Sequence, residues 1–345
     1  MSAGPDLSAA GRILVIKPRA IGDVVLATVV LRNLRLAFPS AHIAFLTEPP
    51  AVPVVAGNTD VDEVIVFDRK REGGLGLIRR VRAGRFDLVF DLFGNPRTAL
   101  VTFLSGARVR VGYPFRGRAY AYTLHVPPRG DRVHNTQFNL DALEAAGIPV
   151  RERKLSFPVS AADRAYAGAF LEQAGLARTR LVGVNTGGGW YTKRWPPGRF
   201  AALADRILEA QGGAAVVLWG PGQEAEAEAV RSQMTRPAVL APPTTLTQLG
   251  ALLERLSMVV TNDSGPMHIA AAVGTPVLGI YGPTRPELQG PYGDAHVVVR
   301  KEGLGCLGCN LTSCPVPGHP CMQSLTVDEV FSAYERLRTL NPTLR

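Results

Sequence analysis

Short apolar runs alternate along this chain with longer stretches whose apolar positions recur at helical spacing. Residues 13–16 read as a buried strand and 24–38 as a helix. Strands over 42–46, 63–67 and 86–92 follow, then a helix over 97–104. The alternation pauses over 151–161, where charge, Pro and Ser mix, and a second series begins. It reads as strands over 181–185, 215–219, 258–261 and 277–281, with helices over 199–211, 224–234, 245–256 and 265–273. An amphipathic helix over 327–340 ends the pattern. Strands apolar throughout, each followed by a helix, predict parallel α/β sheets covered on both faces.

The expected organisation is therefore a tail over 1–10, one doubly wound domain over 11–158 and a second over 159–325. A C-terminal segment, 326–345, is expected to pack back on the first domain. Open α/β sheets take ligands at the carboxyl ends of their strands, so the two domains are expected to share a site in a cleft.

The chain has 345 residues, 46% hydrophobic and 19% charged, which excludes a disordered protein. No apolar run approaches the roughly 18 residues of a spanning helix. The opening MSAGPDLSAAGR has no charged-then-apolar signal pattern, so the expectation is a cytoplasmic protein. The net charge of +9 is uneven: residues 1–158 hold 22 Lys and Arg against 14 Asp and Glu, and the remainder 16 against 15. A basic first half suits an anionic partner, namely a phosphorylated glycolipid, an anionic membrane or nucleic acid, or simply a solvated surface.

Four strand-to-helix junctions carry candidate chemistry. After the first strand comes Lys17-Pro-Arg19-Ala-Ile-Gly22-Asp23. Gly22 is expected to make the tight turn. Asp23 is either a helix cap or a general base for an attacking hydroxyl, with Lys17 and Arg19 favouring its charged form. The second domain opens with Asn185-Thr186-Gly187-Gly188-Gly189, followed by Lys193. Glycines let backbone N–H groups approach an anion, and Lys193 supplies a compact charge for a diphosphate. Thr261-Asn-Asp263-Ser264-Gly265-Pro266-Met267-His268 repeats the arrangement. Asp263 or Ser264 is expected to cap the helix, Pro266 suits its first turn, and N–H groups over 264–267 can hold a phosphate. His268 is either a packed core residue or a phosphate or ribose contact. In Trp219-Gly-Pro-Gly-Gln-Glu224, the Glu224 carboxylate either binds ribose hydroxyls or complements a helix dipole.

All four cysteines, Cys306, Cys309, Cys314 and Cys321, fall within one short segment, with His319 between the last two. The cluster reads either as a structural metal site or as four reduced thiols ordering a loop. No dinucleotide GxGxxG, P-loop, HExxH or kinase pattern is present.

In combination and order, four stretches resemble glycosyltransferase family 9, the ADP-heptose:lipopolysaccharide heptosyltransferases. They are ILVIKPRAIGDVVLATVVLRNLRLAFPSAHIAFLT, FDLVFDLFGNPRTALVTFLSGARVRVGY, NTGGGWYTKRWPPGRFAALADRI and VVTNDSGPMHIAAAVGTPVLGIYGPTRP. CLGCNLTSCPVPGHPCM is similar to the cysteine loop of the heptosyltransferase II subgroup, and the likeness runs from about Arg12 to Leu340. The resemblance implies a GT-B fold and a metal-independent, inverting transfer from ADP-heptose. It implies an acceptor in the inner core of lipopolysaccharide, reached by a peripheral enzyme at the anionic cytoplasmic face of the inner membrane, and no nucleic acid. By motif, Asp23 matches the family's base and Lys193 its diphosphate lysine. Asp263 and His268 match positions near the donor phosphates, and Glu224 a nucleotide contact. Lys17, Arg19, Gly22, Asn95, Arg97, Thr186, Gly187, Gly188, Ser264, Gly265, Pro266 and Met267 are implied substrate contacts. Arg19 stands where many members have a small hydroxyl residue, which leaves the acceptor open. Alternatives are a transferase or epimerase using another nucleotide sugar, a basic nucleic-acid-binding protein, or a metal-binding regulator.

Overall fold

The computed structural model of the chain describes residues 7, 10–129 and 133–344. Most of the expected tail over 1–10 lies outside them. The chain divides into two compact units, Met1–Pro158 and Val159–Arg345.

The first unit holds β1 (Arg12–Ile16), β2 (His42–Thr47), β3 (Glu63–Val66), β4 (Leu88–Asp91), β5 (Val109–Gly112) and β6 (Leu124–His125). All pairings are parallel, in the order β3-β2-β1-β4-β5-β6. The second holds β7 (Leu181–Asn185), β8 (Ala214–Leu218), β9 (Ala238–Leu240), β10 (Met258–Asn262), β11 (Val277–Tyr281) and β12 (Val297–Arg300). Its order is β12-β11-β10-β7-β8-β9, again wholly parallel. Numbered within each unit, both sheets read 3-2-1-4-5-6, the dinucleotide-fold order. Its strand sequence reverses between the first and fourth strands. The switch points are therefore β1/β4 and β7/β10.

Sequence explains the elements. β1, β4, β7, β8, β10 and β11 are apolar and almost wholly buried, as central parallel strands must be. The helix expected over 24–38 is two helices, Ile21–Ala27 and Val29–Ala37. At the break, the Thr28 hydroxyl donates back to the Val25 carbonyl at 2.7 Å and accepts the Ser156 N–H at 3.0 Å. Fully buried Asn33 accepts N–H groups of Arg151 and Glu152 at 2.7 and 2.9 Å and donates to the Glu152 carbonyl. These bonds strap the segment that ends the first unit onto its helices.

The terminal helix, Val327–Leu340, belongs to the second unit. Its Val330, Ala333, Tyr334 and Leu337 join the second unit's core with Trp195, Phe200, Val182 and Leu278. Its apolar stripe is buried where it stands, against β11, β12 and the Pro197–Gln211 helix.

Candidate active site

At the switch point of the first sheet, two loops are tied by one buried amine. Lys17 follows β1, and its Nζ donates to the Leu92 carbonyl after β4 at 2.8 Å. Burial pulls the Lys17 amine below its usual range, and Asp23 and Asp91 act against that shift. Asp91, ending β4, is fully buried. Its carboxylate accepts the N–H groups of Phe93 and Gly94 at 3.1 and 2.9 Å and the Tyr122 hydroxyl at 2.9 Å. Burial raises the Asp91 carboxyl, and these donors oppose the rise. Asp91 thus shapes the loop that presents Asn95 and Arg97. Asn95 caps the Pro96–Leu104 helix, accepting the Thr98 N–H at 2.8 Å. Arg97 is exposed, its guanidinium 5.7 Å from the centre of the Phe67 ring.

Asp23 lies half-buried in the first turn of the Ile21–Ala27 helix. One oxygen accepts the Ala20 N–H at 3.1 Å and the other faces Asn135 Nδ2 at 3.4 Å. The capping function is therefore present, and one oxygen has only a long contact with an amide. Gly22 corrects the turn expectation. It is the second residue of the helix, buried, and not among the glycines of positive φ. Residues 17–20 make the turn instead. Arg19 is exposed beside it.

In the second unit, Lys193 Nζ lies 2.7 Å from Asp263 Oδ2, with side chains 14% and 5% exposed. The two glycine-flanked junctions after β7 and β10 thus meet in one ion pair. Two asparagines hold these junctions together. Asn262 accepts the Trp195 N–H at 3.1 Å and donates to the Thr186 carbonyl at 2.7 Å. Asn185 Nδ2 donates to Thr261 and Ser264 hydroxyls at 2.8 and 3.1 Å. Trp195 is fully buried, its indole N–H on the Leu325 carbonyl at 2.9 Å.

The expected cap of the Gly265–Ala272 helix is absent: Ser264 precedes it with no side-chain bond to the helix. Ser264 turns to Asn185, and Asp263 to Lys193. Pro266 does lie in the first turn, and Met267 and His268 are buried. The first-turn N–H groups are thus left without a side-chain acceptor, which is the arrangement that takes an anion. Gly187 and Gly188 are buried and Gly189 exposed. A Cβ on Gly187 would stand 2.6 Å from Gln223 Oε1 and 3.2 Å from Asn185 Oδ1, so a side chain there would displace the Gln223 amide. Glu224 is exposed at the start of the Glu224–Gln233 helix after β8. In the same helix, Glu226 pairs with Arg194 at 3.2 Å. The bonding roles of Asn33, Asn185, Asn262, Asp91 and Tyr122 escaped the sequence reading, since nothing in their spacing marks a bond across 31 or more residues.

The cysteine loop brings its four thiols together. All four cysteines are free thiols bordering a small cavity of about 30 Å³ with Leu311, Val316 and His319. His319 instead uses Nε2 on the Thr192 carbonyl at 2.9 Å. Among the described residues, no three His, Cys, Asp or Glu side chains are arranged to hold a metal ion. The thiols and the carbonyl-bound imidazole order a loop against the turn that carries Lys193.

Comparison with known proteins agrees with the geometry. Residues 75–318 match "Glycosyltransferase family 9 (heptosyltransferase)". Lipopolysaccharide heptosyltransferase 3 of Escherichia coli is 28% identical over 281 residues, 76% of this chain and 81% of its own length. Lipopolysaccharide heptosyltransferase 2 of E. coli K12 is 28% identical over 312 residues, 84% and 88% of the two chains. The solved family 9 glycosyl transferase of Veillonella parvula is 28% identical, with TM-score 0.84 over 97% of this chain and 98% of that one. The ADP-heptose lps heptosyltransferase II of E. coli shares the fold, at 22% identity and TM-score 0.74 over 96% and 99%. Two doubly wound domains of GT-B type, an anion-ready helix beside an ion-paired lysine, and a match over most of the sequence lead to one conclusion: the chain belongs to glycosyltransferase family 9 and is a transferase enzyme.

Proposed function

We propose that this enzyme moves a heptose from ADP-L-glycero-D-manno-heptose to a hydroxyl of the lipopolysaccharide inner core, with inversion at the anomeric carbon. The observation that carries this reading is Lys193, held at 2.7 Å from Asp263 beside the uncapped Gly265–Ala272 helix. The second unit takes the donor. N–H groups over 264–267 and Lys193 receive the diphosphate, the glycines over 187–189 let it approach, and Glu224 and His268 contact the nucleotide end. As the anomeric C–O bond breaks, negative charge grows on the leaving phosphate. Fixed N–H groups and an ammonium there stabilise the transition state more than the ground state.

The first unit takes the acceptor through Lys17, Arg19, Asn95 and Arg97. Asp23 accepts the proton of the attacking hydroxyl. The oxygen forms its bond to the anomeric carbon from the face opposite ADP, so one displacement inverts the centre. The acceptor class places the enzyme at the anionic cytoplasmic face of a membrane as a peripheral protein. Among the described residues no helix is long and apolar enough to cross it.

The test is transfer from ADP-heptose to heptose-deficient core glycolipid, followed by product release of ADP and the anomeric configuration of the new bond. Stabilisation of the fold by ADP but not by UDP or GDP in a thermal-shift series is the expected companion result. Strong protection by UDP alone would move the donor to another nucleotide sugar.

A further inference from the structure

From residue 92 to residue 129 the sequence contains six arginines and no Asp or Glu. This stretch also carries a cluster of exposed apolar side chains. Along the Pro96–Leu104 helix, Arg97, Leu100 and Phe103 recur every third residue, and all three are exposed. Residues at that spacing lie on one face. Phe103 is 45% exposed, and Tyr120, 53% exposed, meets it edge-on with ring centres 5.4 Å apart. Arg110 stands 6.0 Å from the centre of the Phe103 ring, and Arg116 is exposed on the following short turn. Arg110 spends its donors on the backbone carbonyls of Ala107 and Ala121, and neither Arg97 nor Arg116 has an acidic partner among the described residues.

We propose that this face, Leu100, Phe103 and Tyr120 ringed by Arg97, Arg110 and Arg116, docks the enzyme on an anionic lipid surface. The composition is that of an interfacial anchor. Aromatic and aliphatic groups enter the headgroup boundary, while guanidinium groups meet lipid phosphates. A face whose own segment, 92–129, brings arginines and no Asp or Glu fits a uniformly negative plane. A protein partner of ordinary mixed charge would leave three guanidinium groups unmatched. The inference deepens the membrane-acceptor reading above and rests on it for its motive.

The test is sedimentation of the full chain with vesicles of phosphatidylcholine alone or with about a third phosphatidylglycerol, where each basic residue contributes roughly 1 kcal/mol. Binding only to the anionic vesicles, weakening with salt, is expected. Leu100→Ser with Phe103→Ser, and separately Arg116→Glu, are expected to weaken it about tenfold and fivefold. Both variants should keep ADP protection and transfer to detergent-dispersed acceptor. These side chains are exposed, so the fold tolerates the changes, and a thermal melt checks that. Equal binding to neutral vesicles, or variants that bind as the parent does, overturns the proposal. So does a parent that dimerises or retains RNA through these residues instead of binding vesicles. Vesicle binding without transfer would sink only the activity proposed above, and transfer without vesicle binding only this surface.

Discussion

Asp263, the residue after β10, is 4% exposed and has the Lys193 amine 2.7 Å from its carboxylate. Two charges this poorly solvated depend on each other. Removing one leaves the other buried without a counter-ion, at a loss of about 3–5 kcal/mol. Lys193→Ala is therefore expected to lower stability by roughly that amount. Adding Asp263→Asn to it should recover much of the loss. Turnover should stay low in both, because the recovered fold still lacks the ammonium that meets the diphosphate. Urea midpoints and initial rates on the three proteins check this. A single Lys193→Ala variant with normal turnover would remove the lysine from the chemistry.

Asp23 holds two functions that one pair of variants separates. Its carboxylate accepts the Ala20 N–H at 3.1 Å, so Asp23→Ala loses a cap as well as a base. Asp23→Asn keeps an oxygen for the cap and loses the proton acceptor. Both variants should turn over about 100-fold or more slowly with ADP protection intact. Only Asp23→Ala should also lose stability, by about 1 kcal/mol. If Asp23→Asn turns over at the parent rate, the residue is a cap and nothing more.

The periodicity of apolar positions located the central strands closely: β7 and β11 span 181–185 and 277–281, as expected from runs bounded by Gly, Asn and Thr. The junctions were legible for the same reason, since Gly, Asp and Lys after a buried strand are local signals. What stayed hidden is pairing between distant segments. Ser264 and Asp263 look like caps in isolation, yet Asn185 and Lys193 draw their side chains away from the helix. Thr28 looks like one more helical residue, yet its hydroxyl serves Val25 and Ser156 and divides the helix. Val327–Leu340 shows an apolar stripe that says a face is buried and not what buries it.

The cysteine loop gives a graded chemistry. Cys309 is exposed and Cys321 is buried, with burial chiefly and the other three sulfurs secondarily pushing its thiol up to about 11. Thiolate is the reactive form, so a neutral-pH alkylating agent should label Cys309 first and Cys321 last. Peptide mapping after timed exposure to iodoacetamide checks the order. In urea the difference should vanish as Cys321 loses its burial. Early labelling of Cys321 in the folded protein would contradict the packing of its sulfur near Gly282 and Met322.

Acid sensitivity should arise from His296. Its Nδ1 accepts the Val277 N–H at 3.2 Å at the start of β11, so the ring must be neutral at that nitrogen. Burial holds its pKa down to about 4, against 6.5 for a free imidazole, with the Tyr292 backbone and Asp294 acting in the opposite direction. As pH falls below about 6.5 the unfolded chain takes up a proton that the folded chain refuses. Stability should therefore decline from about pH 6.5 to about 4, by at most roughly 3 kcal/mol at 1.36 kcal/mol for each pH unit. His296→Asn keeps an acceptor for the Val277 N–H and has no proton to gain, so its stability curve should be flatter over that range. Parallel curves for parent and variant, from urea unfolding at each pH, would show that the acid loss originates elsewhere.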